Sequence, residues 1–397
     1  MLPSETDATA PSYRLSELVV YFLKLGAIGF GGPIALVGLM HRDLVERRGW
    51  LSHVQYKKGM ALAQLAPGPL AVQLAIYLGY VHYRVWGATV AGIAFVVPSL
   101  LLVLALGWAY QHFGGLDWMQ AVFYGVGASV IGIIAFHAYY LTRRTASRHA
   151  LHWAIWLASA ACTVIMQTEY AALFLVAGLL TMWWGDEGNY GREGSTLASW
   201  VPLAGAIDWC WDRLWATRLE LVLFFAKAGA FVFGSGLAIV PFLYGGVVHD
   251  HQWLTEQQFL DAVAIAMITP GPVLITVAFI GYLIDGLSGA LLTAAATFLP
   301  CYLFTVVPAR YFDAHATSPR VIRFVNGVTA AAGGAICGAV VVLGRQTLLD
   351  QQGTWHGAKV IIFITTLLLL ATRRVPEPLI VMGAAVVGWL IYPLASP

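Results

Sequence analysis

Residues 17–37 read ELVVYFLKLGAIGFGGPIALV, and residues 220–240 read ELVLFFAKAGAFVFGSGLAIV. The two stretches share 11 of 21 residues, and each carries a lysine and a glycine-rich run inside an apolar segment. The similarity continues to Pro-Gly-Pro tripeptides at 67–69 and 270–272, and then through further paired positions along both halves. Self-similarity at a nearly constant offset indicates an internal duplication. The chain is therefore predicted to consist of two homologous halves.

The least apolar stretch of the chain separates these halves. It contains GDEGNYGREGS at 185–195, followed by a Trp-rich segment that ends before Arg218. This composition is typical of a linker with an interfacial segment. The predicted division is a polar tail at 1–16, a first repeat at 17–184, a linker at 185–216 and a second repeat at 217–397.

The composition indicates a membrane protein. Hydrophobic residues make up 59% of the chain and charged residues 11%, against roughly a quarter charged in soluble domains. Apolar runs such as 88–109, 121–141 and 286–309 approach the ~20 residues that cross ~30 Å of hydrocarbon. These runs lack the alternation of a β-barrel, so helices are the expected spanning elements. The sequence predicts an all-α integral protein of the lipid bilayer, without a removable signal peptide in its first residues. The first helix is expected to span the membrane and to act as its own insertion signal.

Equivalent charged segments of the two halves carry opposite charge patterns. The segment 41–58, interpreted as a loop, holds five Lys or Arg residues beside Asp43 and Glu46. Its counterpart at 249–261, also interpreted as a loop, holds three acidic residues and no Lys or Arg. Under the positive-inside rule the first segment is cytoplasmic and the second is not. The halves are therefore predicted to be inverted repeats, an architecture in which transporters bind substrate at the repeat interface near the bilayer midplane.

The Pro-Gly-Pro tripeptides interrupt the apolar segments 59–82 and 262–284 near their middle. Proline removes a backbone donor and ends the helix before it. If each segment enters and leaves the membrane on one side, the flanking charges agree with the positive-inside rule. This interpretation gives about ten transmembrane helices plus two re-entrant hairpins. A pair of broken helices that span the bilayer fully stays open as the alternative.

Lys24 and Lys227 lie seven residues after the equivalent acids Glu17 and Glu220, inside apolar helices. A lysine at the membrane centre costs ~2.5–3.5 kcal/mol, so it normally has a partner or a function. Each acid lies ~10 Å away along the helix axis, too far to neutralise its lysine. We interpret the lysines as charges for an anion. Snorkelling to the interface, or an ion pair with another helix, is the alternative.

Breaks rich in glycine and proline follow each lysine and recur at the Pro-Gly-Pro segments. Glycine permits unwound backbone, and a helix that restarts after a break presents N–H groups that suit an oxyanion. A kink or close helix packing is the alternative for each break, and packing is the alternative for the nearby polar residues Gln73 and Thr276. The predicted substrate-binding residues are Lys24, Phe30, Gly31, Gly32, Gln64, Pro67, Gly68, Pro69, Lys227, Phe233, Gly234, Ser235, Thr269, Pro270, Gly271 and Pro272. The predicted coupling or gating residues are Glu17, Glu220, Arg143 and Arg345.

The assembled motifs resemble a known family. The pattern F-x-K-x-G-x-x-x-F-G-G-P at 22–33, its copy at 225–236, and the pair APGP and TPGP at 66–69 and 269–272 are similar to those of the chromate ion transporter family in its long, two-domain form. The resemblance implies a multi-pass protein of the bacterial plasma membrane that exports chromate and confers chromate resistance. The second copy departs from the first, with Ser and Gly in place of Gly and Pro at the end of the pattern, so the two halves are not expected to contribute identically.

The predicted function is secondary transport of a divalent tetrahedral oxyanion, chromate first and sulfate second, by alternating access. Moving a dianion out of an inside-negative cell is favourable by ~4.6 kcal/mol per 100 mV, and proton coupling is compatible with the sequence. An oxyanion channel and a sulfate uptake carrier are the alternatives. We predict no cofactor and no metal site, since no phosphate-binding loop is present and His249 and His251 lack further ligands. No enzyme activity and no nucleic-acid partner are expected, and a homodimer stays open.

Overall fold

The computed structural model describes residues 13–30, 32–113, 117–145, 150–166, 171–184, 216–231, 239–310, 319–349, 354–372 and 374–395. These ranges are helical and contain no strand, apart from one isolated bridge between Leu349 and Trp355. The all-α prediction is therefore confirmed.

The described helices follow the two repeats. The first repeat contains α1 (Leu15–Ile28), α2 (Gly32–Met40, continued by a π-helical segment His41–Arg47), α3 (His53–Leu65), α4 (Leu70–Phe113), α5 (Asp117–Thr145), α6 (Ala150–Met166) and α7 (Ala171–Trp184). The second repeat contains α8 (Ala216–Ala230), α9 (Val240–Tyr244, continued by a π-helical segment Gly245–Asp250), α10 (Glu256–Ile268), α11 (Thr276–Ala309, after a 3₁₀ turn Val273–Ile275), α12 (Pro319–Leu348), α13 (Gly357–Thr372) and α14 (Glu377–Ala395).

Helix α4 reverses its direction at Arg84, whose φ of 52° and ψ of −140° are not helical. The arms 70–83 and 85–113 fold back on each other, so that a Cβ on Gly79 would lie against the carbonyl oxygen of Gly87. In an uninterrupted helix these residues would be ~12 Å apart. Glycine at both positions lets the two backbones approach this closely.

Helix α11 repeats this reversal at the equivalent position. The turn lies at Asp285 and Gly286, where Gly286 has a φ of 57° and a ψ of −144°. Across the turn the Thr293 hydroxyl donates to the carbonyl oxygen of Val277 at 2.8 Å. Both repeats therefore contain a short helical arm that leads into a tight turn and a long second arm.

The short first arm of α4 also packs against α3. A Cβ on Gly59 of α3 would meet the ring of Tyr77, and the Pro-Gly-Pro segment 67–69 lies at the turn between the two helices. Helix α3 has 13 residues, a length of ~20 Å against ~30 Å of hydrocarbon. Helix α3 and the first arm of α4 therefore form a hairpin that turns at the Pro-Gly-Pro segment.

Helices α1 and α2 form another hairpin, which turns after Ile28. The guanidinium of Arg48 lies 5.4 Å from the centre of the Tyr21 ring, and the Tyr13 and Trp50 rings stack at 4.6 Å. Residues before α1 and after the π-helical segment therefore meet. Helix α1 has 14 residues, or ~21 Å. The sequence had suggested a spanning first helix, but the glycine break lets the chain return to its starting side.

The ends of these hairpins converge, and we call the converging end the base and the Gly/Pro turn the tip. In the first repeat the Tyr13 hydroxyl lies 2.8 Å from Nδ1 of His82, just before the α4 reversal. In the second repeat His251, after α9, lies 3.1 Å from the Glu220 carboxylate on α8. The stacking of Phe224 on Phe242 at 5.3 Å shows that α8 and α9 fold back in the same way.

The charged segments at the bases are helical rather than loops, which corrects the sequence-based description. Lys57 and Lys58 lie in α3, and most of 41–47 is π-helical. Asp261 lies inside α10 and is 3% exposed, so it is not a surface charge at all. The opposite charge patterns therefore belong to the hairpin bases, with Asp261 as an exception.

The long arms of α4 and α11 run antiparallel. Thr89 of α4 contacts the Tyr302 hydroxyl at 2.7 Å, whereas Gln111, near the other end of α4, donates to the Tyr282 carbonyl oxygen at 3.5 Å. Tyr282 lies close to the second base and Thr89 close to the first. The two bases therefore lie at opposite ends of the long arm of α4.

The remaining helices exchange partners between the repeats. Helix α12 of the second repeat packs against α6 and α7, and α5 of the first repeat packs against α13 and α14. The Ser159 hydroxyl donates to the Ala331 carbonyl oxygen at 2.7 Å across one of these contacts. The repeats are thus interleaved and do not form two separable bundles.

Four of the described helical segments are long and apolar enough to cross a membrane. They are 70–113, 118–143, 273–309 and 323–348, and shorter apolar helices occupy 150–166, 173–183, 357–372 and 377–392.

Candidate functional site

The tip of the α10–α11 hairpin meets the tip of the α1–α2 hairpin from the other repeat. The amide N–H of Gly271 donates to the carbonyl oxygen of Gly29 at 2.9 Å. The hydroxyl of Ser99, on α4, donates to the Pro270 carbonyl oxygen at 2.7 Å and lies 3.4 Å from the Gly26 carbonyl oxygen. Ser99 is fully buried. We call these five residues the tip cluster.

Backbone requirements explain why glycine occupies two positions in this cluster. Gly271 has a φ of 97°, and a Cβ there would meet the Ser99 hydroxyl. A Cβ on Gly26 would meet the carbonyl oxygen of Phe95, so α1 and α4 cross with their backbones in contact. Glycine is the residue that permits both a positive φ and such close approach. Gly271 is therefore a structural requirement of the contact between the repeats, and Gly26 is a requirement of the contact between α1 and α4 within the first repeat.

The other repeat builds a related but different arrangement. Cys301, equivalent to Ser99, lies with its thiol 3.6 Å from the Gly229 carbonyl oxygen. At the tip of the α3–α4 hairpin the Gln73 amide donates to the Pro67 carbonyl oxygen at 2.6 Å, and Gly68 has a φ of 144°. The buried Oε1 of Gln73 has no hydrogen-bond partner among the described residues. The contact partner expected by symmetry, within 232–238, lies outside the described residues.

The predicted lysines lie near these tips but point outward. Lys24 and Lys227 are exposed, and neither forms an ion pair with a described residue. Lys24 precedes Gly29 by five residues, so it lies ~8 Å from the tip cluster along α1. Phe30 is 42% exposed beside it. Lys24 therefore lies near the tip and does not contribute to the hairpin core.

Several predicted residues of the breaks lie as the motif suggested, and others are outside the description. Gly32 begins α2, Gly68 and Pro69 are buried at the first Pro-Gly-Pro tip, and Pro67 is partly buried there. Pro272 is buried at the second tip. Gly31, Phe233, Gly234 and Ser235 lie outside the described residues.

The polar residues chosen from the sequence serve local structure. The Thr269 hydroxyl donates to the Ile265 carbonyl oxygen of its own helix at 2.6 Å, and the Thr276 hydroxyl donates to the Val273 carbonyl oxygen at 2.7 Å. Gln64 is exposed on α3. In the part of the chain that the structure describes, none of these three side chains is hydrogen-bonded to the tip cluster.

The predicted coupling residues lie away from the tips. Glu17 accepts a hydrogen bond from the Arg14 amide at 2.7 Å, which caps the start of α1. Glu220 contacts His251 at the second base, and Arg143 and Arg345 are exposed near the ends of α5 and α12. Within the described ranges these four side chains make no contact with the tip cluster.

Sequence reasoning missed Ser99. Its signal in the sequence is the alignment of Pro98-Ser99 with Pro300-Cys301. A small hydrogen-bonding side chain directly after an in-helix proline is a reasonable candidate, because proline leaves backbone carbonyl oxygens unpaired in that turn. The described residues contain no group of metal-ligating side chains.

Comparison with known proteins identifies the family. The model of the family described as "Chromate transporter" matches residues 16–183 and again residues 219–389. The chain belongs to the chromate transporter family. It is 58% identical to the chromate transport protein of Cupriavidus metallidurans over 99% of this chain and 98% of that protein, and 54% identical to a probable chromate transport protein of Synechococcus elongatus over 96% and 97%.

More distant relatives extend this similarity. A chromate transport protein of Pseudomonas aeruginosa is 28% identical over 98% of this chain and 95% of that protein. No solved structure matches the chain. The relatives are named transport proteins rather than enzymes, and the family match together with the apolar helices makes the chain a multi-pass protein of the bacterial inner membrane.

Proposed function

We propose that this protein exports chromate across the inner membrane by alternating access, with sulfate as a second substrate of the same shape and charge. The observation that carries this proposal is the hydrogen bond between Gly271 and Gly29, which joins a tip of one repeat to a tip of the other. The names of the similar proteins support chromate as the anion. Binding at a repeat interface is the pattern expected of such transporters.

The hairpins of the two repeats enter the membrane from opposite sides in this proposal. The antiparallel contacts between α4 and α11 support the inversion. The Lys and Arg residues at the first base assign that base to the cytoplasm under the positive-inside rule. Hairpins of ~20 Å that start on opposite faces bring their tips together within the bilayer. The tip cluster then lies where the anion must pass.

The tip contact acts as a closed gate. When the hairpins separate, the Gly271 N–H loses the Gly29 carbonyl oxygen and becomes free to donate to an oxyanion. Lys24 supplies attraction to the dianion from nearby, and Lys227 supplies it at the equivalent position of the second repeat. Tight packing around Ser99 argues against a permanently open channel.

The hydrophobic cores indicate which parts move. The hairpins of the first repeat form one core around residues 13–95, while those of the second repeat share a core with α5 and α12. Because the outer helices are interleaved, the sequence halves cannot rock as whole bodies. We propose that the first-repeat hairpin unit moves against the rest of the molecule. The membrane potential drives the export of a dianion, at ~4.6 kcal/mol per 100 mV.

Radiolabelled chromate uptake into everted membrane vesicles tests this function. We expect saturable uptake that is stimulated by chromate on the opposite side, and competition by sulfate. Ser99→Ala leaves the Pro270 carbonyl oxygen buried without its donor, at a cost of about 1–3 kcal/mol, so we expect uptake to fall at least about fivefold. Ser16→Ala, on the exposed face of α1, is the matched control. Uptake that rises linearly without saturation would instead indicate a channel.

A further inference from the structure

Asp261 is buried in the arm α10 without a cationic partner. Among the acidic and basic residues that the structure describes, it alone is buried, with 3% of its surface exposed. The Tyr110 hydroxyl donates to Oδ2 at 2.7 Å, and the Gln257 amide donates to Oδ1 at 2.8 Å. No nitrogen of a described Lys, Arg or His side chain lies within 4.0 Å of this carboxylate.

The elements packed against α10 bring other titratable groups, most of which are paired elsewhere or exposed. These elements are α4, α5, α9 with its π-helical continuation, α11 and α14. From them, Tyr110 alone faces Asp261 at hydrogen-bonding distance in the described ranges. Glu256, on α10 itself, is hydrogen-bonded to Tyr244 and Gln346. His137 pairs with Glu377, and Asp285 pairs with Arg218. Asp250 and Arg143 are exposed. His249, on the π-helical continuation of α9, is half-buried against the Tyr244 ring, and its Nε2 has no hydrogen-bond partner among the described residues.

Opposing effects act on the protonation of this carboxyl group. Removal from water favours the neutral acid, whereas the two donated hydrogen bonds favour the carboxylate. A group held between such effects changes protonation when one hydrogen bond is made or broken. Ionisable residues inside the membrane region commonly form proton pathways. Asp261 therefore has the properties of a proton-binding group.

Its position connects the second base with the tips. Gln257 is exposed and lies one helical turn nearer the second base than Asp261. The Asp261 carboxylate is therefore ~6 Å along α10 from the exposed surface at Gln257. Pro270, in the tip cluster, follows nine residues later. Tyr110 belongs to α4, the helix that also carries Ser99. Movement between α4 and α10 thus changes both the tip contact and the hydrogen bond to Asp261.

The carboxylate occurs in one repeat only. The equivalent residue of the first repeat is Lys58 in α3. The second repeat thus has an acid where the first repeat has a lysine. The duplicated scaffold therefore offers this proton site near the second hairpin base only. This difference gives the proton a defined path relative to the anion.

We propose that Asp261 is the proton-binding site that couples anion transport to the proton gradient, with Tyr110 as its positioning residue. This inference rests on the proposed function. A proton from water at the second base binds a carboxylate oxygen of Asp261 while α4 and α10 are apart. It is released on the other side of the tips as chromate moves in the opposite direction.

The test uses the full-length protein in proteoliposomes, with the membrane potential held at zero by potassium and valinomycin. Chromate movement and internal pH are recorded together for the wild type and for Asp261→Asn, Tyr110→Phe and Asp250→Asn. Asp250 is an exposed carboxylate near the same base, so its variant is the matched control. We expect the wild type and Asp250→Asn to move protons against chromate. We expect Asp261→Asn to lose at least nine-tenths of the proton movement, on the order of tenfold, and to keep chromate–chromate exchange.

Tyr110→Phe changes a quantity that would stay constant if Tyr110 had a purely structural role. Loss of a donor to the ionised form raises proton affinity, so the midpoint of the pH profile of transport should rise by about one pH unit. If Asp261→Asn aggregates on gel filtration, this shift decides the question, and an unchanged midpoint overturns the proposal. Proton movement retained by a folded Asp261→Asn also overturns it. Wild-type chromate transport without proton movement overturns the coupling alone, whereas absence of chromate transport overturns the proposed function.

Discussion

Replacing Gly271 by alanine tests whether the contact between the tips belongs to the transport cycle. A residue with a side chain at its φ of 97° carries strain of about 1–2 kcal/mol. The added methyl group would also displace the Ser99 hydroxyl, leaving the Pro270 carbonyl oxygen without its donor, for about 1–3 kcal/mol. The closed contact would therefore be weakened by at least about 2 kcal/mol, or about thirtyfold in the equilibrium between closed and separated tips.

If the closed contact is a required state that limits the cycle, the maximal rate of chromate uptake should fall by up to about thirtyfold. Uptake into everted vesicles, normalised to the amount of protein in the membrane, measures this effect. Gly38→Ala is the matched control, because Gly38 lies in α2 and a Cβ there would meet no atom within 4 Å. Gel filtration in detergent reports whether each variant is folded. Equal rates for folded Gly271→Ala and Gly38→Ala would refute the role of the contact.

Further predictions address the lysines, the inversion and a surface ion pair. In Lys24→Ala we expect the KM for chromate to rise about tenfold, because one positive charge near the dianion is lost. Lys24→Arg keeps the charge, so its KM should stay near that of the wild type. Vesicle uptake at varied chromate concentration measures both values. In a cysteine-free background, Thr89→Cys combined with Tyr302→Cys should form a cross-link detectable on denaturing gels, and a pair taken from the same end of both helices should not. Arg218→Ala should lower stability in detergent by less than about 1 kcal/mol, because its partner Asp285 and the arginine are exposed, and the loss should shrink further at high salt.

The sequence predicts the Pro-Gly-Pro turns well because their cause is local. Proline ends a helix wherever it occurs, and Gly68 supplies a φ that few other residues adopt. The contact between Gly59 and Tyr77 then follows from two short apolar helices joined by that turn. The duplication is equally accessible, since it needs only comparison of the chain with itself. What such patterns leave undetermined is the angle between the helices on either side of a flexible break.

The hairpin of α1 and α2 shows this limit. A glycine break is compatible with a kink, a straight interruption or a full reversal, and the sequence favoured a spanning helix. The choice is made by contacts between residues far apart in the chain, such as Arg48 over Tyr21 and Tyr13 against His82. Asp261 was misassigned for a related reason. Its charge was counted with a polar segment, although the periodicity of α10 buries it against Tyr110, a residue 151 positions away.

Departures from the internal symmetry are as informative as the symmetry itself. Two identical inverted repeats would present the same groups to both faces of the membrane. An anion would then meet the same side chains whether it moved inward or outward. This chain differs at a position where the repeats meet and at the position where we propose that a proton binds. Ser99 corresponds to Cys301, a much weaker hydrogen-bond donor, and Lys58 corresponds to Asp261. The Ser99 hydroxyl is therefore a stronger donor than the thiol at the equivalent position, and in our proposal Asp261 makes the second base respond to pH. A transporter with one firm tip and one proton-binding base has two distinguishable faces, which is the condition for coupling a proton on one side to an anion on the other.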